Sequence, residues 1–199
     1  MSTKGNSGAD RGAPGAAPEQ GRARRAAGRL KIVAWVALAA FLLDRASKYW
    51  VVELMDLATQ LRIDVAPPYL TLLMAWNEGA NFGLGDDLGR GFWILLALAI
   101  SSGLTIWALR LASPWRRICI GLLVGGALGN ALDRWIYGAV ADFLNMSCCG
   151  FYNPYAFNPA DIFIFAGAIG LVALGAEPPA AEAEAKAGTV DGKDSAGKD

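Results

Sequence analysis

Histidine is absent from all 199 residues. A Ser-His-Asp triad, a Cys-His pair, a His-ligated metal and a histidine general base are excluded with it. Cysteine is scarce: Cys119 and the adjacent Cys148 and Cys149 fit no zinc or redox spacing. Vicinal cysteines rarely bridge, so this pair reads as two small apolar residues. The charges balance, 18 basic against 18 acidic, so no field of one sign points to nucleic acid. Carboxylates remain as the leading carriers of chemistry.

Hydrophobic residues make up 54% of the chain and concentrate in its middle. Residues 1–29 are rich in Gly, Ala, Pro and basic charge, and residues 177–199 in Ala, Gly and acidic charge. Neither end can bury enough surface to offset its ordering entropy. Both read as disordered tails flanking one domain of residues 30–176.

Four apolar stretches fill that domain. They are Ile32–Leu43, continuing through DRASKYWVV to Val52; Gly91–Leu109; Ile118–Leu132, continuing into DRWIYGAV; and Ile162–Ala176, preceded by FNPAD. A spanning helix needs roughly 20 residues. The second stretch qualifies outright, and the others do so with their polar ends in the interface. The predicted spans are 30–52, 91–111, 115–137 and 159–176. A signal peptide would share the basic residues from Arg22 to Lys31 before the first stretch, but no small-x-small cleavage site follows. No Cys follows this segment either, so the chain is not itself an obvious lipoprotein.

Basic residues before the first span, and Arg110, Arg116 and Arg117 between the second and third, put both tails in the cytoplasm. Segments 53–90 and 138–157 then face the other side. Trp50, Trp76, Trp93, Trp135, Tyr49, Tyr137 and Tyr152 gather near that outer interface, where amphipathic rings prefer to sit. Segment 53–90 is too long for a plain connector. Gln60–Val65 alternates like a strand, Pro67-Pro68 breaks it, Tyr69–Trp76 can form a second strand, and Asn77-Glu-Gly-Ala80 reads as a turn.

An acid placed within a span costs about 2.5–3.5 kcal/mol on insertion scales, which invites a functional reading. Asp44, Asp133, Asp142 and Asp161 all fall toward the outer leaflet. Asp44 sits one turn before Lys48, spaced for an ion pair. Asp133 shares a helix face with Asn130 and adjoins Arg134, which is expected to pair with it or to hold a substrate carbonyl. Asp142 lies nine residues past Asp133, half a rotation away on an unbroken helix, but Gly138 offers a place for that helix to end. Asp161 follows Asn158 and Pro159 in the first turn of the fourth helix, where the macrodipole also favours an acid.

Two carboxylates about 3 Å apart share one proton. The ionised member can deprotonate water while the protonated one polarises a carbonyl. That is hydrolysis without histidine, metal, cofactor or covalent intermediate. The pairing alone specifies neither which two aspartates act nor the bond cut.

DRASK at 44–48, NEGANFG at 77–83, GNALDRWIYGAVADF at 129–143 and FNPAD at 157–161 resemble the sequence blocks of lipoprotein signal peptidase (signal peptidase II), in the family's order. The resemblance implies an all-α membrane protein, a four-helix transmembrane bundle with a small extracytoplasmic β-cradle. It implies a catalytic dyad at Asp142 and Asp161. Asn77, Asn130, Asp133, Arg134 and Asn158 are then pocket-lining, substrate-binding residues, and Asp44 and Lys48 supporting ones. Its implied substrates are prolipoproteins, cut before a Cys carrying diacylglycerol, by a monomer in the bacterial inner membrane in contact with lipid. Departures are small: Asn81 stands where the family more often has Ala, and Ala141 replaces a frequent Val.

Rival readings are weaker. Gly83-Leu-Gly-Asp86 matches the G-x-G-D motif of another intramembrane aspartic peptidase class, but Asp86 sits beside Asp87 in a polar loop. A small ion- or proton-coupled transporter would show inverted repeats or paired broken helices. A scaffold would tolerate loss of the aspartates. Ser101, Ser102 and Cys148 have no base partner.

Overall fold

The computed structural model describes residues 16–79 and 88–175. Helix α1 (Ala16–Lys48) continues as a π-helical segment, Tyr49–Leu54, and a short α2 (Leu57–Gln60) follows. Two strands, β1 (Arg62–Ala66) and β2 (Leu70–Asn77), lead to α3 (Gly89–Ala108) and α4 (Pro114–Tyr137). Strand β3 (Val140–Met146) and α5 (Pro159–Ala173) complete the chain.

α1 starts earlier than the tail reading allowed. Residues 16–29, expected to be disordered, are helical. Alanine, Glu, Gln and Arg dominate them, and such residues lose little on entering a helix.

Ala26–Leu54 and Gly89–Ala108 are long and apolar enough to cross a membrane, and α5 is a shorter apolar helix. The polarity is inside out. Trp35, Leu43, Leu95, Ile106, Phe165 and Val172 are exposed, whereas Asp44, Lys48, Asp133 and Arg134 are buried. Water would not tolerate so much apolar surface, but hydrocarbon does.

α4 is the hub, packing against α1, α3 and α5. Where α4 meets α1 and α5, small residues permit close approach, as helices in lipid require. A Cβ on Gly125 would strike the Ala37 carbonyl, and one on Gly129 would stand 2.6 Å from Asp44 Oδ2.

The strands form one antiparallel sheet in the order β1-β2-β3. Both expected strands exist. β3, which sequence reading left as plain loop, pairs with β2 in a register that sets Asp142 opposite Ala75. Val52, Leu57, Leu72, Ala141 and Phe143 form the small core that seats this sheet on the end of α1.

Candidate active site

α4 ends at Gly138, whose φ of 86° suits glycine and whose N–H still bonds Arg134 O at 3.1 Å. The chain turns at once into β3. The half-rotation separating Asp142 from Asp133 on a continuous helix is thereby cancelled, as the position of Gly138 suggested. Further on, Phe157 bonds Leu144 of β3 in both directions, N–H to carbonyl, at 3.0 and 2.8 Å. This bridge delivers Asn158 to the flank of Asp142.

Asn158 begins α5 with a capping box. Its side-chain oxygen accepts from Asp161 N–H at 3.2 Å, and its own N–H donates to Asp161 Oδ2 at 3.2 Å. Its amide also donates to Asp142 Oδ1 at 2.5 Å. Asn77, at the end of β2, donates to Asp142 Oδ2 at 3.2 Å, and Asn130 of α4 donates to Asp161 Oδ1 at 2.9 Å. Every oxygen of Asp142 and Asp161 thus meets a donor from the protein.

Asp142 and Asp161 are 4% and 5% exposed, yet both line one open cavity of about 1220 Å³. Its polar wall includes Asn77 and Glu78, and its apolar wall is one face of α5, with Ile162, Phe165, Ala166 and Ile169. Burial is the largest influence on Asp142 and raises its carboxyl to about 6. The Asn158 hydrogen bond pulls it down, the charge of Asp161 pushes it up, and Asn77 and Lys48 pull it down. A carboxyl half protonated at about pH 6, beside a second carboxyl, can both give and take a proton.

Behind the pair lies a layer of buried charge. Lys48 reaches Asp44 at 3.0 Å, the i,i+4 contact read from sequence, and also Asp133 at 2.6 Å and Asn130 Oδ1 at 3.2 Å. Arg45 contacts the other oxygens of both acids. Sequence reading gave Arg45 no role, although an arginine inside an apolar segment is itself a sign of function.

One expectation needs correction. Asp133 does not pair with Arg134: its partners are Arg45 and Lys48. The Arg134 side chain instead bonds the Gly79 carbonyl, reaches Asn130 O at 3.4 Å, and lies 5.8 Å from the centre of the Trp93 ring. Adjacent residues on a helix point about 100° apart, so Asp133 faces α1 and Arg134 faces α3. Of the five residues expected at the substrate, Asn77 lines the cavity and also holds Asp142, and Asn130, Asp133, Arg134 and Asn158 hold neighbouring groups. Residues 80–87, including the rest of NEGANFG and Gly83-Leu-Gly-Asp86, lie outside the described residues.

The three cysteines are free, with Cys148 and Cys149 exposed.

Residues 36–175 match the family described as Signal peptidase (SPase) II. The chain belongs to that family. All the buried aspartates lie within the matched residues. The lipoprotein signal peptidase of Methylorubrum extorquens (strain PA1) is 41% identical over 138 residues, 68% of this chain and 80% of the relative. That of Nitrobacter hamburgensis (strain DSM 10229 / NCIMB 13809 / X14) is 39% identical over 142 residues, 68% and 86% of the two chains. A bacterial membrane enzyme solved by the in meso method superposes with a TM-score of 0.61 at 28% identity, covering 71% of this chain and 86% of its own. Signal peptidase II enzymes are membrane aspartic peptidases that process prolipoproteins, and this chain is one of them.

Proposed function

We propose that Asp142 and Asp161 are the catalytic dyad of this signal peptidase II. The observation carrying the proposal is that two buried carboxylates from different elements open on one cavity and are joined through Asn158. In the working state the pair holds one proton. The ionised carboxylate takes a proton from water, the water oxygen attacks the scissile carbonyl, and the protonated carboxylate stabilises the developing oxyanion. The proton taken from water is then passed to the nitrogen of the Cys that carries diacylglycerol, the C–N bond breaks as the tetrahedral intermediate collapses, and the signal peptide is freed with a new C-terminal carboxyl group. Asn77 and Asn158 aim Asp142, and Asn130 aims Asp161. Asp44 and Lys48 support this frame, and Asp133 and Arg134 extend it from α4.

The same reading places α1, α3, α4 and α5 as four spans of a monomer in the bacterial inner membrane, surrounded by lipid. Both tails, 1–29 and 177–199, are cytoplasmic, and the sheet stands as a cradle at the outer leaflet. Charge supports this orientation. Arg116 bonds the carbonyls that follow α5, at Leu174 and Gly175, and Arg117 bonds the Ala112 carbonyl. These cations gather at the end of α4 opposite Asp133.

The test is cleavage of a diacylglyceryl-modified prolipoprotein by Asp142→Asn and Asp161→Asn proteins. Each is expected to accumulate in the membrane and to lose cleavage, because a shared-proton pair needs both members. Turnover like the native enzyme in either variant would overturn the dyad.

A further inference from the structure

Arg45 lies away from the cavity, yet its guanidinium spans the two most deeply buried acids among the described residues. Nη2 is 2.8 Å from Asp44 Oδ2, and Nη1 is 2.6 Å from Asp133 Oδ1. Lys48 takes the remaining oxygen of each acid, Asp44 Oδ1 and Asp133 Oδ2. Two acids and two bases therefore close a ring of zero net charge between α1 and α4.

The oxygens on the Lys48 side have a second partner each. Asp133 Oδ2 accepts from the backbone N–H of Ala141 at 3.3 Å, and Asp44 Oδ1 accepts from that of Ala160 at 3.2 Å. Ala141 immediately precedes Asp142, and Ala160 immediately precedes Asp161. A single ring thus grips β3 and α5 one residue upstream of each dyad carboxylate.

We propose that Arg45 is a positioning residue of the peptidase: by bridging Asp44 and Asp133 it fixes the two carboxylates that hold the backbone before Asp142 and Asp161, and so sets the separation of the dyad. The proposal rests on the dyad reading above. Lys48 cannot replace the arginine. Its three N–H groups are already divided among Asp44, Asp133 and Asn130. Without Arg45, two buried carboxylates would share one ammonium, and each would keep a freed oxygen. Both carboxylates could then turn, and their grip on the two backbone amides would loosen. The planar fork of Arg45 sets two separate nitrogens against the two acids in a fixed geometry, which the compact ammonium of a lysine at the same position does not reproduce.

The experiment compares full-length Arg45→Met and Arg45→Lys with the native enzyme, per folded molecule, on a diacylglyceryl-cysteine peptide. Asp142→Asn runs alongside. Arg45→Met is expected to keep KM within about twofold, since the cavity wall is untouched, and to lose on the order of 10- to 100-fold in kcat, as a dyad misplaced by an ångström would. Arg45→Lys is expected to lose less. The pH limb of kcat/KM set by Asp142 separates the two variants. Among the described residues, the charged groups facing this region are Asp44, Arg45 and Lys48 from α1, Glu78 just after β2, Asp133 and Arg134 from α4, and Asp161 from α5. Removing one cation raises the Asp142 limb in Arg45→Met, while Arg45→Lys leaves it in place. A purely structural arginine would change the yield of folded protein and neither kcat nor the limb. If Arg45→Met fails to accumulate, Arg45→Lys decides. Native kcat in whichever variant accumulates overturns the proposal, as does failure of both to accumulate, which would make the ring a folding element. An active Asp142→Asn would overturn the dyad itself, a separate outcome in the same assay.

Discussion

Asp142 carries an electrostatic load that can be measured without substrate. Its carboxyl is raised to about 6 chiefly by burial, against an unfolded value near 3.8. The native state therefore holds a proton that the unfolded chain releases. Stability from this group is complete below about pH 4 and is lost as pH rises through 6, at a cost on the order of 2–3 kcal/mol. Asp142→Asn removes the titration. Its melting temperature in detergent is expected to exceed that of the native protein at pH 8, with the gain vanishing toward pH 4; an equal difference at both pH values would disprove the burial argument. Arg134 makes a second case at this scale. Its guanidinium ties Gly79, just beyond the cavity-lining Asn77 and Glu78, to Asn130 and Trp93. Arg134→Lys keeps the charge but loses the fork and the flat face over the ring. Membrane abundance should hold while kcat/KM falls roughly tenfold, equivalent to ~1.4 kcal/mol of transition-state binding. Normal cleavage by Arg134→Lys would remove the arginine from the site's frame.

The elements matter because the site is assembled from ends. α4 stops at Gly138, β3 begins two residues later, and α5 begins at a capping box whose members already hold Asp142. The close approach of α1 to α4 is the condition for the charged ring behind them. Gly129 stands at that contact, and a methyl there would meet Asp44 Oδ2 at 2.6 Å and Asp44 Cγ at 3.2 Å. Gly129→Ala is expected to destabilise by about 1–3 kcal/mol, through overpacking against a side chain already pinned by Arg45 and Lys48. Since Asp44 also holds Ala160, cleavage per folded molecule should fall as well. Chemical denaturation and an activity assay on the same preparation check both. A neutral Gly129→Ala would mean that the helices separate easily and that the ring is not tightly held.

At the scale of the molecule, α1 reaches back to Ala16, and the sequence before it and after 179 is poor in apolar residues. Deletion of residues 1–15 and 180–199 is expected to leave cleavage within about twofold, because so little apolar content is removed. Arg22 to Lys31 stay in the trimmed protein, because the proposed orientation rests on them. A trimmed protein that inserts normally but fails to process prolipoprotein would give the tails a role. The sequence alone determined the chemistry and its depth. With no histidine and few cysteines, catalysis falls to carboxylates, and an aspartate in an apolar segment costs too much to be incidental. Asp142 and Asp161 stood out on that basis, and Asn77, Asn130 and Asn158 through the four motif blocks, and the proposed dyad is built on them; the strands near Arg62–Ala66 and Leu70–Asn77 were legible as well. Tertiary structure decided the rest. β3 exists because β2 and Phe157 offer it partners, and no pattern within VADFLNM announces them. Asp133 chose Arg45 and Lys48 over its neighbour Arg134 because helical geometry turns adjacent residues to different sides, and only the packing of α1 on α4 brings the other cations within reach. Spacing along a chain reports which side chains share a face; which face meets which is settled by burial, and burial belongs to the whole fold.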